Sequence, residues 1–189
     1  MRRISIRGNK FTELIDTHEA SVGDDEYEVV VVNAAPIARS YYESDFDSEK
    51  PMLPTCWSSD TQTPSVDVPP EQRRASRCMD CPNNIRGSGF GSSRAFRFSQ
   101  QLAVVPQGRL QEVYQIRLPA TSIFGETREG HMPMQAYAKF LRNRDTPAIS
   151  VLTKIYFDQV SSIPKLFFKP TRPLRDEELD VVSDMIKHP

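Results

Sequence analysis

No apolar run in this 189-residue chain approaches the ~20 residues that cross a bilayer. The opening Met1-Arg2-Arg3-Ile4-Ser5-Ile6-Arg7 also lacks the apolar stretch of a secretory leader. A membrane role is therefore set aside and a soluble intracellular protein is expected. Cysteine is scarce: there are three, an odd number, which argues against the paired disulfide framework of a small secreted domain. Histidine is as scarce, and His18, His131 and His188 are scattered. No Gly-x-Ser-x-Gly, no His-Glu-x-x-His and no acidic spacing of a two-metal nuclease occurs, so the chain is not expected to be an enzyme. Asp24-Asp25-Glu26 reads as a loop, and Asp176-Glu177-Glu178 as a helix start, where acids meet the positive end of the helix dipole. Gly87, Gly89 and Gly91 lie close together, but no P-loop Lys-Ser/Thr follows them.

What is present is segregated charge. The net charge of -1 conceals six Lys/Arg against twelve Asp/Glu in residues 1–60. From Glu71 to Gln101 the balance reverses, with six arginines against Glu71 and Asp80. Residues 139–172 are basic again, through Lys139, Arg142, Arg144, Lys154, Lys165, Lys169 and Arg172. Basic blocks between acidic ones suit a surface for an anionic partner with solubilising flanks.

The cysteines form a half-built metal motif: Cys56, then Cys78-Met79-Asp80-Cys81. Two thiolates on one turn plus a distant third are donors for a tetrahedral zinc, so zinc is the expected cofactor, held by Cys56, Cys78 and Cys81. The fourth ligand stays open among His18, His131, His188, Asp60 and Asp80. Around these cysteines, residues 40–91 hold Pro51, Pro54, Pro64, Pro69, Pro70 and Pro82. That density excludes long helices and central strands. A long irregular excursion needs a staple, and metal would supply one. Residues 40–98 are accordingly read as a Pro-rich insertion within a single domain covering 1–189.

Elsewhere the periods are clearer. Strands are predicted at 28–35, 102–105, 113–118, 149–157 and 165–169, with helices at 132–144 and 176–186. Three strands, a helix, two strands and a closing helix match a mostly β chain built on a five-stranded, partly open OB-like barrel, with an antiparallel α+β sandwich as the competing architecture. In the last hairpin Val151, Thr153, Ile155 and Phe157 share one side with Leu166 and Phe168 across from them. The other side carries Lys154, Tyr156, Lys165, Phe167 and Lys169, and Arg117 belongs to the polar side of an earlier strand. Rings interleaved with cations suit unpaired bases and phosphates. Trp57, Arg94, Phe96 and Arg97 extend the candidate surface into the arginine-rich segment.

The runs Pro-Thr-Cys-Trp-Ser (54–58), Arg-Cys-Met-Asp-Cys-Pro-Asn-Asn (77–84), Arg-Ala-Phe-Arg (94–97) and Leu-Ala-Val-Val-Pro (102–106) resemble a group of small bacteriophage-encoded proteins. Leu-Pro-Ala-Thr-Ser (118–122), Ala-Tyr-Ala-Lys-Phe-Leu (136–141) and Lys-Leu-Phe-Phe-Lys-Pro (165–170) carry the resemblance further. Members are viewed as single-stranded DNA-binding or related DNA-metabolism factors, and relatives carry a fourth cysteine near the position of Ala95. The resemblance implies single-stranded DNA as partner, action in replication or recombination in the host cell cytoplasm, and host or phage replication proteins as further partners. A homo-oligomer is left open. The competing expectation is a non-enzymatic phage protein that binds and modulates a host protein.

Overall fold

Valine, isoleucine and aromatic residues in short runs favour strands, and the computed structural model is mostly β, with three helices among the described residues. It describes residues 2–16, 18–23, 25–43 and 53–187. The chain divides into two compact units, one made of Met1–Ala35 with Gln101–Pro189, the other of Pro36–Gln100.

The strands are β1 (Arg2–Arg7), β2 (Lys10–Ile15), β3 (His18–Gly23), β4 (Glu26–Ala34), β5 (Ala38–Tyr41), β6 (Cys56–Ser58), β7 (Arg97–Pro106), β8 (Tyr114–Pro119), β9 (Val151–Phe157) and β10 (Leu166–Pro173). Helices are the single turn α1 (Ala120–Ile123), α2 (Met134–Arg142) and α3 (Asp176–Lys187).

In the first unit the strand order is β10-β9-β4-β7-β8-β1-β2-β3. The five strands expected from sequence lie side by side in it, and β9-β4-β7-β8 have the Greek-key order of fourth, first, second, third. The sheet is mixed, because β1 runs parallel to β8 through Arg3↔Gln115 and Ile4↔Ile116. It is also larger than expected. β1 to β3 form two extra hairpins, the first turned by Gly8 and Asn9 with φ of 56° and 55°, the left-handed pair of a tight two-residue turn. The sheet curls so that Phe11 of β2, fully buried, lies 4.6 Å from the Phe157 ring and 5.7 Å from that of Tyr27. No ladder joins its ends, β10 and β3, among the described residues.

Both faces of the sheet are used. On one, α2 buries Met134, Tyr137 and Leu141; the Tyr137 ring stacks on Phe168 and its hydroxyl meets Thr153 Oγ1 at 2.7 Å. On the other, Val30, Val105 and Leu152 form a small core with Val182 of α3, and Met185 packs against it. α3 begins with three acids, as expected. Glu178 accepts two bonds from the Arg172 guanidinium, at 2.7 and 2.9 Å, and another from the Arg175 amide at 2.9 Å. These donors hold its carboxyl far below the usual carboxylate range.

A polar cluster stands behind β2 and β4. Glu13, 3 % exposed, accepts bonds from the Arg109 guanidinium and the Tyr27 hydroxyl. Arg109 also donates to the Tyr114 hydroxyl at 2.9 Å, which donates onward to Glu112 at 3.0 Å. Burial pushes the Glu13 carboxyl up, but the bonds from Arg109 and Tyr27 and the guanidinium charge outweigh it, leaving the pKa below the ordinary value.

The second unit has little regular structure: β5 pairs with β6 and with Arg97–Ser99 of β7, and three single 3-10 turns follow the prolines and cysteines. Proline supplies the start of two of those turns, where its missing N–H costs nothing.

Candidate nucleic-acid interface

The register of β9 and β10 sets Tyr156 opposite Phe167 and Lys154 opposite Lys169. The Tyr156 and Phe167 rings lie 5.9 Å apart. Lys169 Nζ sits 5.4 Å from the Tyr156 ring centre and Lys165 Nζ 4.8 Å from that of Phe167, within the range where a cation is attracted to a ring face. The expected combination of rings and cations is thus assembled on one patch.

A third ring joins it. Phe168 N donates to the Met132 carbonyl at 2.8 Å, a bridge that brings His131 beside β10. The imidazole lies 5.1 Å from the Phe167 ring and 5.8 Å from Tyr156, with Nδ1 2.9 Å from the Tyr156 hydroxyl. No local pattern marks His131 in the sequence, since its ring partners Tyr156 and Phe167 lie far downstream.

Two expectations about exposure need correction. Phe167 is not an open ring: it is 8 % exposed, covered by His131 and the Lys165 side chain. The half-buried Tyr156 and the exposed His131 are the rings that solvent reaches. Lys154 is not a free cation either, because Glu26 of β4 lies opposite Tyr156 and binds Lys154 Nζ at 2.7 Å. Lys165 is shared with Asp158 at 3.6 Å, which leaves exposed Lys169 as the most available charge of this hairpin. Arg117, exposed on β8, stands three strands from β9, or ~14 Å at the usual strand spacing.

The remaining candidates belong to the second unit. Phe96 is 6 % exposed and packs edge-on to Tyr41, so it is a core ring and not a stacking platform. Trp57 is half-buried on β6, Arg94 is exposed, and Arg97 lies 5.3 Å from the Tyr42 ring.

Cys56, Cys78 and Cys81 are buried, reduced and in this same unit. Burial, then the proximity of Cys78 and Cys81, pushes the Cys56 thiol up. Among the described residues no three His, Cys, Asp or Glu are gathered as a metal-binding group. The candidate fourth ligands are otherwise placed. Asp60 accepts from the Gln62 amide, Ser58 Oγ and the Thr63 amide, which hold its carboxyl low. Asp80 is exposed and pairs with Arg77 at 3.7 Å. His18 and His131 belong to the first unit, and His188 lies outside the described residues. Three thiols are soft donors of the kind that hold a thiophilic ion, but among the described residues they are not gathered with one another or with a fourth donor into a ligand group.

Beside the cysteines, Arg39 is 8 % exposed between the Phe98 and Phe96 rings, at 4.9 and 5.9 Å. Its Nη1 donates to Asn84 Oδ1 at 3.2 Å and towards the Cys78 carbonyl at 3.5 Å, while Nε has no partner among the described residues. No carboxylate answers this buried cation among the described residues, an arrangement that costs several kcal/mol unless an anion lies near.

Among the described residues no helix is long and apolar enough to cross a membrane. Comparison with protein-family models, with curated proteins and with solved structures finds no match to this chain.

Proposed function

We propose that this protein binds single-stranded DNA with little sequence preference, coating it in phage replication or recombination as the family it resembles is viewed to do. The observation that carries the reading is the patch on β9 and β10, where Tyr156 and His131 face solvent and Lys165 and Lys169 rim the rings. Ring faces stack on any unpaired base and lysines meet phosphate, whereas base-edge readers of sequence are few. The curled sheet is an OB-like barrel in this reading, supported by the Greek-key order, by α2 between the third and fourth expected strands, and by the Phe11–Phe157 contact.

The reading includes zinc on Cys56, Cys78 and Cys81. Support comes from three buried thiols in one unit and from Arg39, whose unanswered charge would offset that of thiolates. The cysteines would hold the ion and the ion would staple the Pro-rich segment.

The test is Tyr156→Ala. Stacking contributes ~1–3 kcal/mol per base, so binding of a labelled oligothymidine should weaken about five- to a hundred-fold with the fold intact by circular dichroism. Unchanged affinity in the folded variant would refute the assignment of this patch.

A further inference from the structure

The segment from Asn83 to Phe96 folds back on itself as a braced loop. Gly87 N and Gly89 N both donate to the Ser93 carbonyl, at 2.9 and 3.1 Å. Ser93 Oγ donates to the Phe90 carbonyl at 2.7 Å, and Ser88 Oγ ties Ile85, Asn83 and Ala95 together. The glycines are required. Gly87 and Gly91 have φ of 84° and 61°, and a Cβ on Gly89 would fall 2.7 Å from the Arg94 carbonyl oxygen.

This brace displays one large side chain. Phe90, at the tip, is 98 % exposed, the most solvent-accessible large apolar residue described. A polar residue would serve a mere turn; holding a phenyl ring in water on a stiff loop has a hydrophobic cost that a partner would recover. Arg86 and Arg94 lie four residues to either side of Phe90 in the sequence, both exposed and without an ion-pair partner among the described residues. From Cys81 to Gln111 the sequence contains no aspartate or glutamate.

We infer that this loop is a second nucleic-acid contact, in which an unpaired base stacks on Phe90 while Arg86 and Arg94 take the adjoining phosphates. The inference rests on the single-strand reading above and deepens it. Charge complementarity selects a polyanion, since two unpaired arginines with no neighbouring acid would repel a cationic partner and suit phosphate. A lone ring selects an unpaired strand, because entering a duplex would mean opening a base step at a cost of a few kcal/mol.

The test uses the full chain and a labelled oligothymidine. Phe90→Ser should weaken binding at least about five-fold without loss of thermal stability, because the ring is almost wholly in solvent in the folded state. Arg86→Gln and Arg94→Gln should each lower the slope of log K against log salt by ~0.7. Phe90→Trp adds a reporter: its emission should be quenched on DNA addition, beyond any change in the parent from Trp57. If the parent binds DNA but Phe90→Ser binds equally and Phe90→Trp is not quenched, the loop assignment falls and the β9–β10 assignment stands. If Tyr156→Ala binds normally while the Phe90 variants fail, the loop stands and the hairpin patch falls. A parent that binds no single strand sinks both. Preference for duplex would overturn the inference in favour of another partner. So would a blue shift in the emission of the Phe90→Trp variant on anionic phosphatidylserine vesicles, without quenching by DNA.

Discussion

Replacing Glu13 by Gln would probe the polar cluster at the back of the first unit. The carboxylate is almost wholly buried, and the guanidinium it binds is 37 % exposed. Glu13→Gln keeps the shape and one acceptor oxygen but leaves Arg109 with the Glu112 carboxylate, at 3.3 Å, as its remaining countercharge. Breaking a fully buried pair costs about 3–5 kcal/mol; with Arg109 reaching water the loss should be ~2 kcal/mol. For a chain of this size that lowers Tm by ~4–8 °C. The pH dependence gives a second handle. The folded-state pKa of Glu13 is depressed, so its contribution is complete above the ordinary carboxylate range and is lost as pH falls through the folded-state pKa. The Tm gap between parent and Glu13→Gln should therefore be widest near about pH 7 and narrow steadily towards about pH 3. Calorimetry across that range measures it, and Glu13→Gln/Arg109→Met should cost less than the sum of the single changes. A gap below about 1 °C at neutral pH, or one that does not change with pH, would refute the account.

Elemental analysis after dialysis should find about one zinc per chain, with Tm falling on chelation; less than about a tenth of a zinc and an unchanged Tm would remove the metal from the reading. Ending the chain before Asp176 removes Val182 and Met185 from the core with Val30, Val105 and Leu152 and should lower Tm by several degrees, whereas full stability would make α3 dispensable. Glu178→Ala should destabilise by ~1.5–3 kcal/mol at neutral pH, seen in urea titration, since four donors on Arg172 and Arg175 lose a charged acceptor.

The central elements were legible in the sequence because their patterns are strong. The valines of β4, the alternation of β8 and the stripe of Met134, Tyr137 and Leu141 each meet one demand, a buried face. β1 to β3 were missed because charged residues interrupt their alternation, and Glu13 occupies a buried position where an apolar side chain is expected. The Gly8-Asn9 turn was the one local signal there. On the candidate surface, alternation gave the correct side for Tyr156 and Lys169. It could not reveal that His131 covers Phe167, or that Glu26 neutralises Lys154, because both arrive from strands or loops far along the chain. Leu152 also faces the side read as open, which is why α3 closes part of it.

Ala35 N donates to the Gln101 carbonyl at 2.8 Å, one step beyond the last β4–β7 pair, Ala34↔Leu102. Thermodynamically, everything from Pro36 to Gln100 is therefore the loop of a hairpin whose stem is already tied. Closing a loop grows costlier only logarithmically, by ~0.6 kcal/mol per doubling of length. Such a stem accepts a short turn, a long insertion or a foreign module with only ~2–3 kcal/mol of difference in closure. The segment from Pro36 to Gln100 is then a replaceable cassette on the β4–β7 stem.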